Sequence, residues 1–166
     1  MKRFAIAALA LVAFSLPIAA QGPLEYGVNV VTDKSADFTK LKTYVWQSGW
    51  DAGDRKVHTQ IVGAVDRELK ALGMTLKTSG PSDVVVKYAA LRQIDVEVVS
   101  NLGDENAARR QFDVGSLLLL MLEPGTGKEL FRARLNKPIE VDPAKVDATV
   151  SSAVAEIFAK YPTKKK

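Results

Sequence analysis

A single histidine, His58, and no cysteine are all that this chain of 166 residues offers in the way of soft or imidazole chemistry. Disulfides, thiolate metal sites, a cysteine nucleophile and histidine-based metal clusters are thereby excluded. A serine triad would need His58 as its base, but nothing near it supplies a nucleophile at a defined spacing. A capping or surface role, a turn ahead of the first helix, is expected instead. Asp51 and Asp54 are three apart, and Asp104 and Glu105 are adjacent. Neither pair has the alternating oxygen-ligand spacing of a calcium loop, so both read as solvated loop carboxylates. Gly125-Thr126-Gly127-Lys128 invites a phosphate-loop reading, which would need a glycine at Leu122 and a hydroxyl residue at Glu129. Both are missing, and a tight turn explains the glycines. Arg92 is the sharpest remaining signal. It interrupts an apolar strand face, so it must be paired, lie at a bend or line a pocket. We expect no catalytic residue, no cofactor and no metal, and carry Arg92 as a candidate pocket residue.

The first residues bear on compartment. Met1-Lys2-Arg3 precedes an uncharged apolar run from Phe4 to Leu16, and small residues lead out to Ala20. This is the pattern of a secretory signal peptide over residues 1–20, with cleavage after Ala20. Residues 21–166 are then expected to form a single α/β domain, long enough to hide roughly 70% of the surface of the unfolded chain. Without Lys2 and Arg3 the mature chain has 21 basic and 19 acidic residues. That field is too weak and too dispersed for nucleic-acid binding. The only basic run is Lys164 to Lys166, expected to be a solvated end, with salt-sensitive contact to anionic lipid as a lesser reading. No later uncharged apolar segment approaches the ~20 residues of a membrane span. With no cysteine to carry a lipid, we expect a periplasmic or extracellular protein that is soluble rather than lipid-anchored.

The elements that would position any site follow from periodicity. Gly27 to Thr32 reads as a strand. Asp33 to Trp46 then reads as a turn or short helical turn, with Ser35 and Asp37 bonding to their own backbone, followed by a strand from Thr43. Asp37, Phe38, Tyr44 and Trp46 form its structural motif, and Phe38, Leu41, Tyr44 and Trp46 are expected to meet as one core nucleus. Trp50 stands alone in a polar loop, as a lid on the core or as an exposed recognition anchor, the lid being preferred. His58 to Leu72 has the spacing of an amphipathic helix closed by Gly73, and Met74, Leu76 and Thr78 alternate as a short strand. Asp83 to Val99 has a period of two, as one long strand or two with a bend near Arg92. Asn101 to Gln111, with Arg109 and Arg110, reads as a mobile loop and a candidate partner contact. Phe112 to Leu122 reads as a strand buried on both faces, joined by a hairpin to Lys128 to Leu135. A last helix, capped by Asp142 with Pro143 at its first position, carries Val146, Val150, Val154, Ile157, Phe158 and Tyr161 on its buried stripe. The fold class expected is α+β: a two-layer α/β sandwich, one mixed, mainly antiparallel sheet of about six strands, with two helices on one face.

Asp37-Phe38-x-Lys40-x-Lys42-Thr43-Tyr44-x-Trp46, the Ser79-Gly80-Pro81-Ser82-Asp83 turn, Thr126-Gly127-Lys128-x-Leu130-Phe131-Arg132 and a helix closing on Tyr161-Pro162 resemble the exported bacterial family called domain of unknown function 4136. The resemblance covers nearly all of the mature chain. It implies a small envelope protein, often a lipoprotein, although this chain lacks the cysteine that would carry the lipid. The family brings no catalytic residue. The expectation that follows is a non-enzymatic domain that binds an envelope protein or other envelope component through the loops around Trp50 and Arg109. The alternative is a small-molecule binder or hydrolytic enzyme with a pocket against the sheet.

Overall fold

The computed structural model of the chain describes residues 25–99, 108–139, 142 and 144–163, with backbone alone at 98–99 and 108–110. Residues 1–20, expected to be a signal peptide, lie outside the described residues, as do Asp104, Glu105, Pro143 and Lys164 to Lys166. Alternating strands β1 (Gly27–Thr32), β2 (Thr43–Trp46), β3 (Thr75–Leu76), β4 (Val84–Val99), β5 (Ala108–Leu122) and β6 (Glu129–Pro138) form one open mixed sheet of six strands. Its order is β1-β6-β5-β4-β2-β3. The first four are paired antiparallel, while β4 with β2 and β2 with β3 are parallel. The parallel pairs follow from the helix α1 (Arg55–Ala71) inserted after β2. With α2 (Val146–Phe158) the class is α+β, as expected.

Strand alternation decides which face the helices cover. Val84, Val86 and Tyr88 of β4, Leu117, Leu119 and Met121 of β5, and Phe131, Ala133 and Leu135 of β6 are buried in one core with Ile61, Val65 and Leu69 of α1 and Val154, Ile157 and Phe158 of α2. Both helices therefore lie on the same side of the sheet. The run Leu117 to Leu122 is not buried on both faces: Leu118, Leu120 and Leu122 are only half-buried. No helix among the described residues covers that side, and the register sets Lys87 and Arg132 beside Leu120, and Arg134 beside Leu118. Long cationic stems can shelter such leucines without sealing them.

Several boundaries differ from the periodicity reading. α1 starts at Arg55 because Asp54 caps it, accepting from Lys56 N–H at 2.7 Å and Val57 N–H at 3.1 Å. His58 is thus inside the first turn, not ahead of it. At the other end Gly73 has φ +80, and Met74 N–H donates to Leu69 C=O, the left-handed closure expected of it. Met74 is buried but Leu76 is exposed, so β3 shrinks to two residues. α2 starts only at Val146; Asp142 accepts from Ala144 N–H in a turn before it. Asp83 to Val99 is one strand from Val84, without a break at Arg92.

The aromatic nucleus is divided in two. Phe38 packs edge-on against Tyr161, with ring centroids 5.4 Å apart, and Tyr161 also meets Phe131 and Phe158. Tyr44 and Trp46 are instead tied to Asp66 of α1, and Trp46 lies edge-on to Tyr88. Trp46 is only half-buried. The Asp33 turn is built by its carboxylates: Asp33 accepts from Ser35 N–H and Oγ, and Asp37 from Thr39 N–H and Oγ1.

Candidate functional site

Beyond Ala90, β4 outruns its neighbour. Gln47 N–H donates to Val86 C=O and Ala90 N–H to Trp50 C=O, both at 3.0 Å, and Trp50 and Ala89 form an isolated parallel bridge. Backbone groups two residues apart point the same way along a strand. The N–H and C=O of Arg92 and Ile94 therefore face an edge that no strand covers among the described residues. Val96 lies on the same edge, but its N–H is taken by the Asp95 carboxylate at 2.8 Å.

The other side opens in the same way. The β5–β6 ladder ends at Val114 with Pro138, and Ile139 N–H donates to Asp113 C=O at 2.9 Å. By the same alternation the backbones of Gln111 and Arg109 face outward, with no strand against them among the described residues. What projects is a two-stranded ribbon, paired from Arg92 with Gly115 out to Val99 with Ala108. It is roughly 25 Å long at the usual rise per residue.

Among the described residues its exposed apolar side chains are Ile94 (68% exposed) and Val96 (45%); Leu91 lies just before it, and Trp50 (76%) stands at the corner where the open β4 edge begins. Trp50 is therefore not a lid. Gly49 lies so close to β4 that a Cβ there would be 2.1 Å from the Tyr88 carbonyl oxygen. Arg109 and Arg110 are strand residues of β5, not a loop: they pair with Val98 and Glu97, because β4 is long enough to template them. Two contacts fasten the ribbon's base. Arg92 Nε and Nη2 reach Asp113 Oδ1 and Oδ2 at 2.7 and 3.0 Å, and the Tyr26 hydroxyl donates to Asp95. The Asp95 carboxylate holds the Tyr26 hydroxyl proton, pushing it up to about 12, and the same bond lowers the Asp95 carboxyl.

A cavity of about 500 Å³ lies where the ribbon meets the layer between sheet and helices, and Arg92 is on its wall. Small residues leave the space: Gly53 of the loop, Ala90 of β4, Gly115 of β5 and Ala153 of α2 all line it. The opposite end of the layer is filled by Phe131, Phe158 and Tyr161.

Next to the cavity, His58 Nδ1 is 2.7 Å from the Tyr88 hydroxyl, which accepts from Ala52 N–H at 3.0 Å; Asp51 is 4.0 Å from His58. Burial pushes the Tyr88 phenol up, so it is a poor proton donor or base at neutral pH. The group holds the loop before α1 against β4. Lys128, the lysine of the phosphate-loop look-alike, pairs with Asp33 and so ties the β5–β6 turn to the Asp33 turn. No cluster of three metal-ligating side chains occurs among the described residues.

The sequence reading includes a pocket against the sheet, with Arg92 as its candidate residue, but not the ribbon. The available signal was length: β4 has 16 residues and β5 15, against 10 in β6 and four in β2. Strands that outrun their neighbours must have open edges.

Sheet, helix pair and open ribbon define a small α+β domain. The chain belongs to the family called domain of unknown function (DUF4136), whose model matches residues 28–163. No curated protein matches it. Among solved structures, a PDZ domain protein from Parabacteroides distasonis is similar in fold, with TM-score 0.59 and 16% identity over 85% of this chain and 36% of that one. This chain thus spans about a third of that protein. The PelC dodecamer from Paraburkholderia phytofirmans is similar with TM-score 0.53 and 10% identity, covering 80% of this chain and 94% of that one. A variant of that dodecamer gives TM-score 0.54 and 9% identity.

Proposed function

We propose that this is an exported, non-enzymatic assembly module of the bacterial envelope, in which the ribbon of one copy adds edge-to-edge to the ribbon of the next. The observation that carries the reading is the ribbon's pair of open edges, flanked by exposed Ile94, Val96 and Trp50. An isolated two-stranded ribbon is marginal in water, and an exposed apolar edge is a template for another strand. Charge favours a head-to-tail order. With Arg92 and Asp113 paired to each other, the β4 half of the ribbon is left with Asp95 and Glu97 and the β5 half with Arg109 and Arg110. A two-fold β4-to-β4 pairing would oppose like charges, whereas β4 against β5 of the next copy brings opposite ones together, and such heterologous contacts build rings or filaments. The fold likeness to PelC, which is a dodecamer, supports this reading, and the signal-peptide pattern of residues 1–20 supports export.

Sedimentation of residues 21–166 over a wide concentration range tests it. We expect a concentration-dependent oligomer that Ile94→Lys with Val96→Lys reduces to a monomer while the helical circular dichroism is kept. A monomer at every concentration, for both proteins, would overturn the assembly reading. Substrate turnover by the purified domain would overturn the non-enzymatic one.

A further inference from the structure

The cavity carries a second inference, independent of the ribbon edges. We propose that it is a binding site for a single acyl chain bearing an anionic head, of the fatty-acid class. Its volume, about 500 Å³, is within the range of small-ligand sites, and its inner wall is aliphatic: Val57 and Ile61 of α1, Leu117 of β5, Leu135 of β6 and Val150 of α2. The hydroxyls on the lining are those of Ser116, which donates to Asn136 Oδ1 at 2.7 Å, and Thr149; the rest of that wall offers only apolar contact, which suits an occupant whose buried part is apolar.

The charged residues on the lining are Lys56, Arg92, Lys137 and one carboxylate, Asp54. Asp54 is committed to the amides of Lys56 and Val57 as the cap of α1. The carboxylates that hold Arg92 and Lys137, Asp113 and Glu156, are not on the lining. Lys56 has no ion pair among the described residues. The surface met by a ligand head is therefore cationic, although the region as a whole is close to neutral. Bidentate pairing with Asp113 keeps the Arg92 guanidinium in place while its side chain remains 62% exposed, so a head group can reach it without breaking the pair.

Calorimetric titration of residues 21–166 with a series from hexanoate to dodecanoate, below micelle formation, tests this. The expected result is saturable binding of one chain per protein, tightening about tenfold for each two added carbons until the cavity is full. Ala153→Trp, which fills the cavity from α2, should weaken dodecanoate binding at least about tenfold. Lys56→Gln with Arg92→Gln should weaken dodecanoate by about three- to tenfold and leave dodecanol unchanged. Absence of saturable binding by the unmodified protein, or unchanged affinity in a folded Ala153→Trp protein, would overturn the site. Equal binding of dodecanol and dodecanoate by the unmodified protein would overturn the anionic head. If Ala153→Trp does not fold, the chain-length series decides, because nonspecific surface binding would not saturate at one chain per protein.

Discussion

The Tyr44 hydroxyl donates to Asp66 Oδ1 at 2.7 Å, so that a carboxylate on α1 fastens β2 to the helix layer. Trp46 Nε1 donates to the same oxygen at 2.9 Å. Burial, followed by the Asp66 bond, pushes the Tyr44 phenol well above its ordinary range. Asp66→Ala leaves the buried Tyr44 hydroxyl without its acceptor and should cost about 2 to 3 kcal/mol in urea denaturation. Asp66→Asn keeps an acceptor oxygen and should cost less. Equal losses would show that charge, not hydrogen bonding, fastens β2.

Trp46→Ala follows from the same geometry. A fully buried tryptophan would cost about 3 to 5 kcal/mol on truncation, but Trp46 is half-buried. We expect about 2 to 3 kcal/mol, part of it shared with Asp66, so that the double variant should lose less than the sum of the two single ones. Strict additivity would show that the indole bond contributes nothing.

Gly49 is a position where space, not backbone angle, requires glycine. A Cβ there would sit 2.1 Å from the Tyr88 carbonyl oxygen, which cannot move without disturbing β4. Gly49→Ala should cost about 1 to 3 kcal/mol and speed hydrogen exchange at Ala90, whose amide donates to Trp50 C=O. Gly53→Ala, with nothing within 4 Å, should stay within about 0.5 kcal/mol. Slow exchange at Ala90 in Gly49→Ala would show that the segment does not need this close approach.

Acid should weaken the fold through its hydrogen-bonded carboxylates, Asp33 and Asp83 among them. Lys128, then the Ser35 amide and hydroxyl, hold Asp33 down to about 2 from an ordinary 3.8. The Lys42 amide, then the Thr43 hydroxyl and amide, lower Asp83. A depressed folded-state value means that the unfolded chain binds protons first. The stabilisation is therefore complete above about pH 4 and is lost as pH falls toward about 2. Urea midpoints measured down that range should fall, and Asp33→Asn should flatten the fall. An unchanged slope in Asp33→Asn would place the acid sensitivity elsewhere.

Much of the architecture was legible because it is local. Valine alternation in β4, the four-and-three spacing of Ile61, Val65, Leu69 and Leu72, and Gly73 at a left-handed closure each depend on neighbours within a few residues, and they yielded the class, the element order and the two helices. Arg92 was legible as an interruption, and pairing was among its anticipated roles. The bond to Asp113 that meets it depends on a strand register which periodicity does not contain. The start of α1 was missed because His58 lies on the periodic stripe's boundary, although Asp54 is a strong capping residue. Whether Trp50 faces in or out is not local information, since its backbone bridges Ala89, 39 residues on in the chain. The sequence by itself determined that the chain has no cysteine or histidine cluster for chemistry, and which residues could alternate into a sheet. Only the tertiary structure decided which strands outrun their partners and where small residues from four elements meet to leave a cavity. Edges and cavities are set by what fails to pack against a segment, and that absence is a property of the assembled layers.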